Sequence, residues 1–429
     1  MSRRPSSAGT PSLLSPSPSS PLAPSQISSK HPPAPPAWRR GTRLWVVVLV
    51  VTFIIFERTS VFVAPARAAA VSPELVARDT AAVDQPPVRV TVNGSAEQTP
   101  GREANIAYFI QIAENTIGHL PRLLRRIYHR NNVYAIHFDL KIPPAVLREA
   151  KDKIRANPEY AKNVHIMTSE LITYRGISML LNTINAMRLL IDEDAKWDYF
   201  INLSGADYPL LSAHSQRSFL GREMGLNYFT FAPKRTWDAM AENRLAQVWY
   251  DEGISFRKTA AIGKLERLDI RNPIVDNRNF DVSHAEAWMI ASRDFCDFVV
   301  RGDMARKMLV AFAFAADSSE HYFASLAWNH EKYKKSIVPH SMRMVVWMHN
   351  GVLAGQHPYY IDEREENGQY KFKQEVATSV LFFARKFQEP DSPLMDFVDR
   401  RTDDKDLMDK VFDHISRKIA GRARRLAEL

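Results

Sequence analysis

From residue 104 onwards, apolar positions fall into short continuous runs alternating with helical spacings, and the pattern is sharpest at 196–212, K-W-D-Y-F-I-N-L-S-G-A-D-Y-P-L-L-S. Residues 197–203 predict an interior strand. It breaks at Ser204-Gly205-Ala206-Asp207, where small residues free the backbone and Asp207 is expected to be exposed at a strand exit. Upstream, residues 104–111 predict a first strand, and Leu120, Leu123, Leu124 and Ile127 share one helical face. A second strand at 133–138 runs into Asp139 and Lys141. A helix at 146–154, a short strand at 164–167 and a helix at 176–192, with Leu180, Ile184, Met187 and Leu190 on one side, complete the half-domain. Strand, helix, strand with polar residues at the strand exits predicts an α/β fold that places ligands at those exits.

Beyond Ser212 the order loosens. Residues 214–219 read as the start of a helix, 226–231 as a strand, and 232–283 carry only weak apolar spacing. A helix from Arg293 or Asp294 buries Phe295, Phe298 and Val299, with Cys296 as a small packing residue.

The N-terminus departs from this pattern. Residues 1–43, rich in Ser, Pro and Ala with basic residues at the end, read as a disordered cytosolic tail. The apolar run L-W-V-V-V-L-V-V-T-F-I-I-F starting at Leu44 has three readings: a signal anchor over 44–66, a cleaved signal peptide ending near Ala66 to Ala70, or a buried segment. The basic residues before the run favour the anchor, with the N-terminus in the cytosol. Residues 67–103 read as a luminal stem with a glycosylation sequon at Asn93-Gly94-Ser95, and the basic stretch 401–429 as a C-terminal helix.

The remainder, 104–400, is long enough to bury a large core without disulfides, which a single cysteine excludes within the chain. The net charge of +9 is scattered among acids, so it does not mark a nucleic-acid surface, and an anionic small substrate or a membrane surface fits it as well. Neither G-x-G-x-x-G nor G-x-x-x-x-G-K-[ST] occurs. Asp192-Glu193-Asp194 has the acids of a metal–diphosphate site, but it follows a helix, and a solvated charge run is the preferred reading.

The strand 197–210, W-D-Y-F-I-N-L-S-G-A-D-Y-P-L, resembles the signature of the core-2/I-branching β-1,6-N-acetylglucosaminyltransferases, a family that includes peptide O-xylosyltransferases and plant β-glucuronosyltransferases. Further blocks resemble the family in order from about Ile106 to Phe387. They include Y-F-I-Q-I-A-E-N-T, A-I-H-F-D, S-S-E-H-Y-F-A-S-L and F-F-A-R-K-F. The resemblance implies a modified GT-A fold with a central mixed sheet flanked by helices, behind a single-pass type II Golgi anchor with the catalytic domain in the lumen. It also implies inverting transfer from a UDP-sugar to a glycan or glycoprotein hydroxyl, with no metal required.

By the same resemblance Asp139 contacts the uridine, Asp207 forms the donor-sugar floor or organises its turn, and Glu320 is the base. Lys386 lies over the diphosphate, with Arg343, Trp347 and Arg385 as further donor contacts. Ser318 and Ser319 replace the family's Pro-Asp, so the acid beside the base is expected to be missing. Ser319 has a second reading as a helix cap. Tyr174-Arg175-Gly176 stands where relatives carry a Trp-Gly-Gly-like sequence, and residues 283–290 and 342–347 resemble two of the family's strands, which the resemblance implies here as well. Trp237, Arg244, Trp249, Tyr250 and Arg257 are candidate acceptor contacts, Glu286 another, and His321 and His357 weaker site candidates. The alternative function is a weakly active or inactive relative that binds a glycan or nucleotide and assists another glycosylation enzyme.

Overall fold

The alternating and continuous apolar runs become six successive strands: β1 (Ile106–Ile112), β2 (Val133–Phe138), β3 (Val164–Ile166), β4 (Tyr199–Ser204), β5 (Tyr208–Pro209) and β6 (Asn227–Phe229). The computed structural model describes residues 102–193, 196–222, 224–233, 244–254, 263–355 and 357–401, all within one unit, Asn93–Leu429. The segments expected as tail, anchor and stem before Arg102, and the C-terminal stretch after Arg401, lie outside the described residues, as do Asp194, Trp237 and Arg257.

The main sheet has the order Ile337–Pro339, β6, Met289–Ser292, β4, β1, β2, β3. Pairing is parallel from β3 through β4, while Met289–Ser292 runs antiparallel to both β4 and β6, so the sheet is mixed. Alternation along β1 sends its side chains to two cores. Ala107 and Phe109 join the layer of helix Ile177–Asp192, with Leu180, Ile184 and Met187. Ile106, Tyr108 and Ile110 meet Leu123 and Leu124 of helix Leu120–Ile127. Burial on both faces explains why β1, β2 and β4 read as nearly continuous apolar runs. This α/β arrangement of sheet and flanking helices is consistent with a GT-A-like architecture.

A second sheet begins where the first stops. β5 pairs antiparallel with Phe383–Arg385, which pairs parallel with Arg343–Val345. The stretch 199–209 therefore belongs to both sheets, and the Ser204-Gly205-Ala206-Asp207 turn is their junction. Gly205 is required there. Its N–H donates to Gln111 O at 3.0 Å, and a Cβ would stand 2.7 Å from that of Thr116 in the 3-10 turn Glu114–His119.

Three local expectations are corrected. Asp207 is fully buried, because the second sheet closes over the turn. The strand expected at 342–347 spans only Arg343–Val345, and Trp347 lies beyond it, 45% exposed. Ser319 caps no helix: the turn Ser318–Glu320 and the helix Tyr322–Trp328 both lack a side-chain cap, and the Ser318 hydroxyl is directed to Ala315 O and Phe312 O, at 2.7 and 3.0 Å.

Candidate active site

Two charged clusters meet at the strand exits. The first is built on the junction turn. One oxygen of Asp207 accepts from both N–H and hydroxyl of Ser204, each at 2.7 Å, and from Arg385 Nη1 at 3.2 Å, while the other accepts from Arg343 Nε at 3.1 Å. Arg343 also donates to Asn202 O. Neighbouring parallel strands carry the two arginines to one carboxylate, and Trp288 lies against both, 3.8 Å from the Arg385 guanidinium carbon and 5.2 Å from that of Arg343. Burial lowers the Arg343 pKa against the pull of Asp207. Asp207 and Arg343 have almost no exposed surface, so they hold the junction turn and the residues beside it. Lys386, next along the chain, is half-buried, and its Nζ lies 3.4 Å from His357 Nδ1. Burial, and then Arg385, pull the Lys386 pKa down; burial and the two cations likewise lower His357, favouring the neutral imidazole.

The second cluster surrounds Glu320. Asp317, buried and left-handed at φ 53°, receives Arg175 Nε at 2.9 and 3.1 Å, and Arg244 Nε lies 3.1 Å from its Oδ2. Arg244 also donates through Nη1 to Glu320 Oε2. Arg175 is left-handed too, at φ 67°, and its carbonyl accepts from Asp317 N at 2.7 Å. Two non-glycine residues in this sparsely populated region, bonded to each other, mark a conformation imposed by their surroundings. Burial pushes the Glu320 carboxyl up to about 7, with Arg244 drawing it back and Asp317 adding to the rise. Its side chain keeps 30% of its surface exposed, enough to meet a ligand. His321 is buried beside it and held near 3 by burial, which leaves it neutral and packed against Phe312 and His284.

The clusters are joined twice. Ala285 N donates to Glu320 O at 2.7 Å, and the same segment continues to Trp288 beneath the arginines. On the other side, the ring of Tyr174, adjacent to Arg175, lies 5.9 Å from that of His357. Glu286, whose Oε2 accepts from Ser341 Oγ at 3.0 Å, adds its charge to both Glu320 and Arg343. Asp139 sits at the end of β2, where its Oδ1 accepts from Lys141 N at 2.9 Å and its Oδ2 pairs with Lys141 Nζ at 3.1 Å. Lys141 in turn reaches Ile172 O and so ties this strand exit to the Tyr174 loop.

That loop is fixed by Asp251, whose Oδ2 accepts from Ser178 N at 2.8 Å at the start of helix Ile177–Asp192. Gly176 permits this approach, since a Cβ there would stand 2.1 Å from Asp251 Oδ2. Asp192, expected in a charge run, is exposed and 3.8 Å from Arg301, and among the described residues no cluster of His, Cys, Asp and Glu has the makings of a metal site.

Residues 106–374, more than half of the chain, match the Core-2/I-Branching enzyme family. The chain belongs to this family. Beta-glucuronosyltransferase GlcAT14A of Arabidopsis thaliana is 29% identical over 302 residues, which cover 68% of this chain and 63% of that protein. A beta-1,3-galactosyl-O-glycosyl-glycoprotein beta-1,6-N-acetylglucosaminyltransferase 4 of Danio rerio is 26% identical over 227 residues, covering 52% of this chain and 49% of that one. Xylosyltransferase 1 of Homo sapiens is 24% identical over 314 residues, 68% of this chain and 30% of its own. The matches thus span less than two thirds of each of these relatives.

In this family member, the structure gathers Asp207, Arg343, Arg385 and Lys386 at one side of the site and Glu320 at the other. Asp139 stands at a neighbouring strand exit, and Trp347 on an exposed segment two residues beyond the Arg343 strand. Asp317 and Trp288 are not among the residues the sequence singles out, and Tyr174 and Arg175 stand out in it only as a departure from a family block. The signal that could have found Asp317 is an acid three residues before Glu320 in a short turn.

Proposed function

We propose that this family member is an inverting glycosyltransferase that moves a sugar from a UDP-sugar to a hydroxyl of a glycan or glycoprotein. The observation that carries the reading is the placement of a partly exposed carboxylate, Glu320, whose pKa is pushed to about 7, in a site whose other side presents Lys386. Inverting transfer needs both. Glu320 takes the acceptor hydroxyl proton as the acceptor oxygen bonds to the sugar C1, while the bond from C1 to the UDP oxygen breaks on the opposite face. The negative charge arriving on the diphosphate is met by Lys386, with Arg385 beside it, so fixed cations serve where other enzymes use a metal.

Asp207 and Arg343 position these groups from beneath. Asp139 faces the uridine and Trp347 offers an exposed ring beside the donor. Residues 44–66 act as a Golgi signal anchor, 67–103 as a luminal stem, 104–400 as the catalytic domain and 401–429 as a basic helix. The relatives' names speak of glucuronic acid, N-acetylglucosamine and xylose, and the donor is one of these three. The alternative, a weakly active or inactive relative that binds a glycan or nucleotide and assists another glycosylation enzyme, draws on Ser318-Ser319, which leave no acid beside the base, and on Tyr174-Arg175-Gly176. Asp317 supplies a carboxylate coupled to Glu320 through Arg244, which favours transfer.

A donor-by-acceptor product screen in the presence of EDTA tests this reading. Transfer that survives chelation is expected. UDP binding without transfer for any pairing would replace the enzyme with a binding protein, and transfer lost to EDTA and restored by manganese would return the charge stabilisation to a metal.

A further inference from the structure

We propose that Tyr208, buried beyond the reach of any substrate, is a positioning residue that aims Lys386 at the departing diphosphate. The inference rests on the assignment of Lys386 to the UDP end of the reaction and says what fixes the direction of its amine.

Residues 206–208 grip residues 385–387 on both sides of the lysine. On one side, Arg385 Nη1 donates to Asp207 Oδ2 at 3.2 Å. On the other, Phe387 N donates to Ala206 O at 2.9 Å, and the Phe387 ring meets that of Tyr208 edge-on, with centroids 5.5 Å apart. Strand pairing adds a third tie, setting Tyr208 opposite Ala384. Lys386 stands between these grips. Its carbonyl accepts from Ile361 N at 2.8 Å, and its amine reaches out to His357. Where that amine points therefore depends on how firmly Arg385 and Phe387 are seated, and both seats spring from the turn that ends in Tyr208.

Tyr208 is itself pinned from outside the site. Its hydroxyl donates to Asp399 Oδ1 at 2.7 Å and accepts from Arg122 Nε at 3.0 Å. Arg122, on helix Leu120–Ile127, also donates from Nη2 to Asp399 Oδ2 at 2.9 Å and to Asp396 Oδ1 at 2.6 Å, both on helix Pro393–Arg401. Packing against Phe387 asks only for an aromatic ring, and phenylalanine would supply it. The phenol adds two hydrogen bonds to charged partners, the strong kind, and so fixes the ring to a buried ion pair that joins two helices. That pair would persist without the hydroxyl, so what the hydroxyl contributes is the placement of the ring and, through it, of Phe387 and Lys386.

A double-mutant cycle on the full chain separates positioning from stability. Tyr208→Phe keeps the ring against Phe387 and leaves Arg122 paired with Asp399. With the donor and acceptor found in the product screen, it should lower kcat about tenfold in the wild-type background and by about twofold or less in the Lys386→Ala background, where the amine it aims is gone. Its effect on the melting temperature should be the same in both. Arg122→Lys, which keeps the charge but not the fork that holds phenol and carboxylates together, probes the link from its other end and should show the same dependence on Lys386. An equal fall in kcat in both backgrounds, or none in either, would overturn the role of Tyr208 and leave Lys386 in place. A Lys386→Ala chain that transfers at the wild-type rate would instead overturn the reading of Lys386 on which the proposal rests.

Discussion

Asp317 and Glu320 share the guanidinium of Arg244: its Nε lies 3.1 Å from Asp317 Oδ2, and its Nη1 donates to Glu320 Oε2. Each charge tunes the other's partner. Asp317 raises the Glu320 pKa and Arg244 lowers it, on top of the dominant rise from burial. Asp317→Asn should therefore move the acid limb of the pH–rate profile to lower pH, and Arg244→Gln should move it higher. Both variants should lose rate, but a merely structural defect would not shift the limb in opposite directions. The profile of kcat/KM for each variant is the check.

For the wild-type protein, the base must be ionised to accept a proton. With the Glu320 carboxyl pushed up to about 7, the rate should climb as pH rises through that value and level off above it. A profile flat from pH 5 to 8, or falling with rising pH, would remove Glu320 from this role.

Lys386 should act on the departing diphosphate more than on the sugar. Lys386→Ala is expected to lower kcat by about a hundredfold or more, and to weaken UDP binding. Lys386→Arg should restore part of the loss, since it keeps the charge but not the geometry. Steady-state kinetics with the donor found in the product screen, together with UDP titration, measure both effects.

The Tyr174 loop depends on Asp251 at the start of helix Ile177–Asp192. Asp251→Ala strips acceptors from Ser178 N and Gly253 N, the latter at 2.6 Å, and should cost about 1–2 kcal/mol of stability. Gly176→Ala should destabilise as well, because its Cβ would collide with the same carboxylate. Denaturant titration of both variants tests this, and an unchanged midpoint for both would count against the Asp251 contact as the anchor of the loop.

The folded chain should be acid-sensitive. Burial holds His137 and His321 near 3, and His137 Nε2 accepts from Glu170 N at 3.0 Å, a bond that only the neutral ring makes. Their folded pKa values lie below the ordinary 6.5, so the unfolded chain binds more protons between these limits. Stability is then fully present above about pH 6.5 and declines as pH falls, by up to about 1.4 kcal/mol per pH unit for each histidine. His137→Gln should flatten that decline, as read from the unfolding midpoint at pH 5 and pH 7.

Periodicity made the half-domain legible: β1, β2, β4 and helix Ile177–Asp192 fall within two residues of the expected bounds, because strands buried on both faces leave continuous apolar runs. The second sheet was not legible. Its strands are two or three residues long, too short for a period, and they pair with partners about 40 residues away in one case and more than 170 in the other. That is why Asp207 was expected in solvent: nothing in 204–207 shows that Arg343 and Arg385 close over it. Asp317 was hidden for a related reason. Its partners, Arg175 and Arg244, come from distant segments of the chain, and its backbone is left-handed where they meet it.

The central claim is that Glu320 takes the acceptor proton, and Glu320→Gln tests it most directly. The amide keeps the shape of the side chain and cannot act as the base. Sugar transfer by the Glu320→Gln chain should fall by about a hundredfold to ten-thousandfold, with UDP bound as tightly as by the wild-type chain. Transfer at the wild-type rate by that variant would contradict the account.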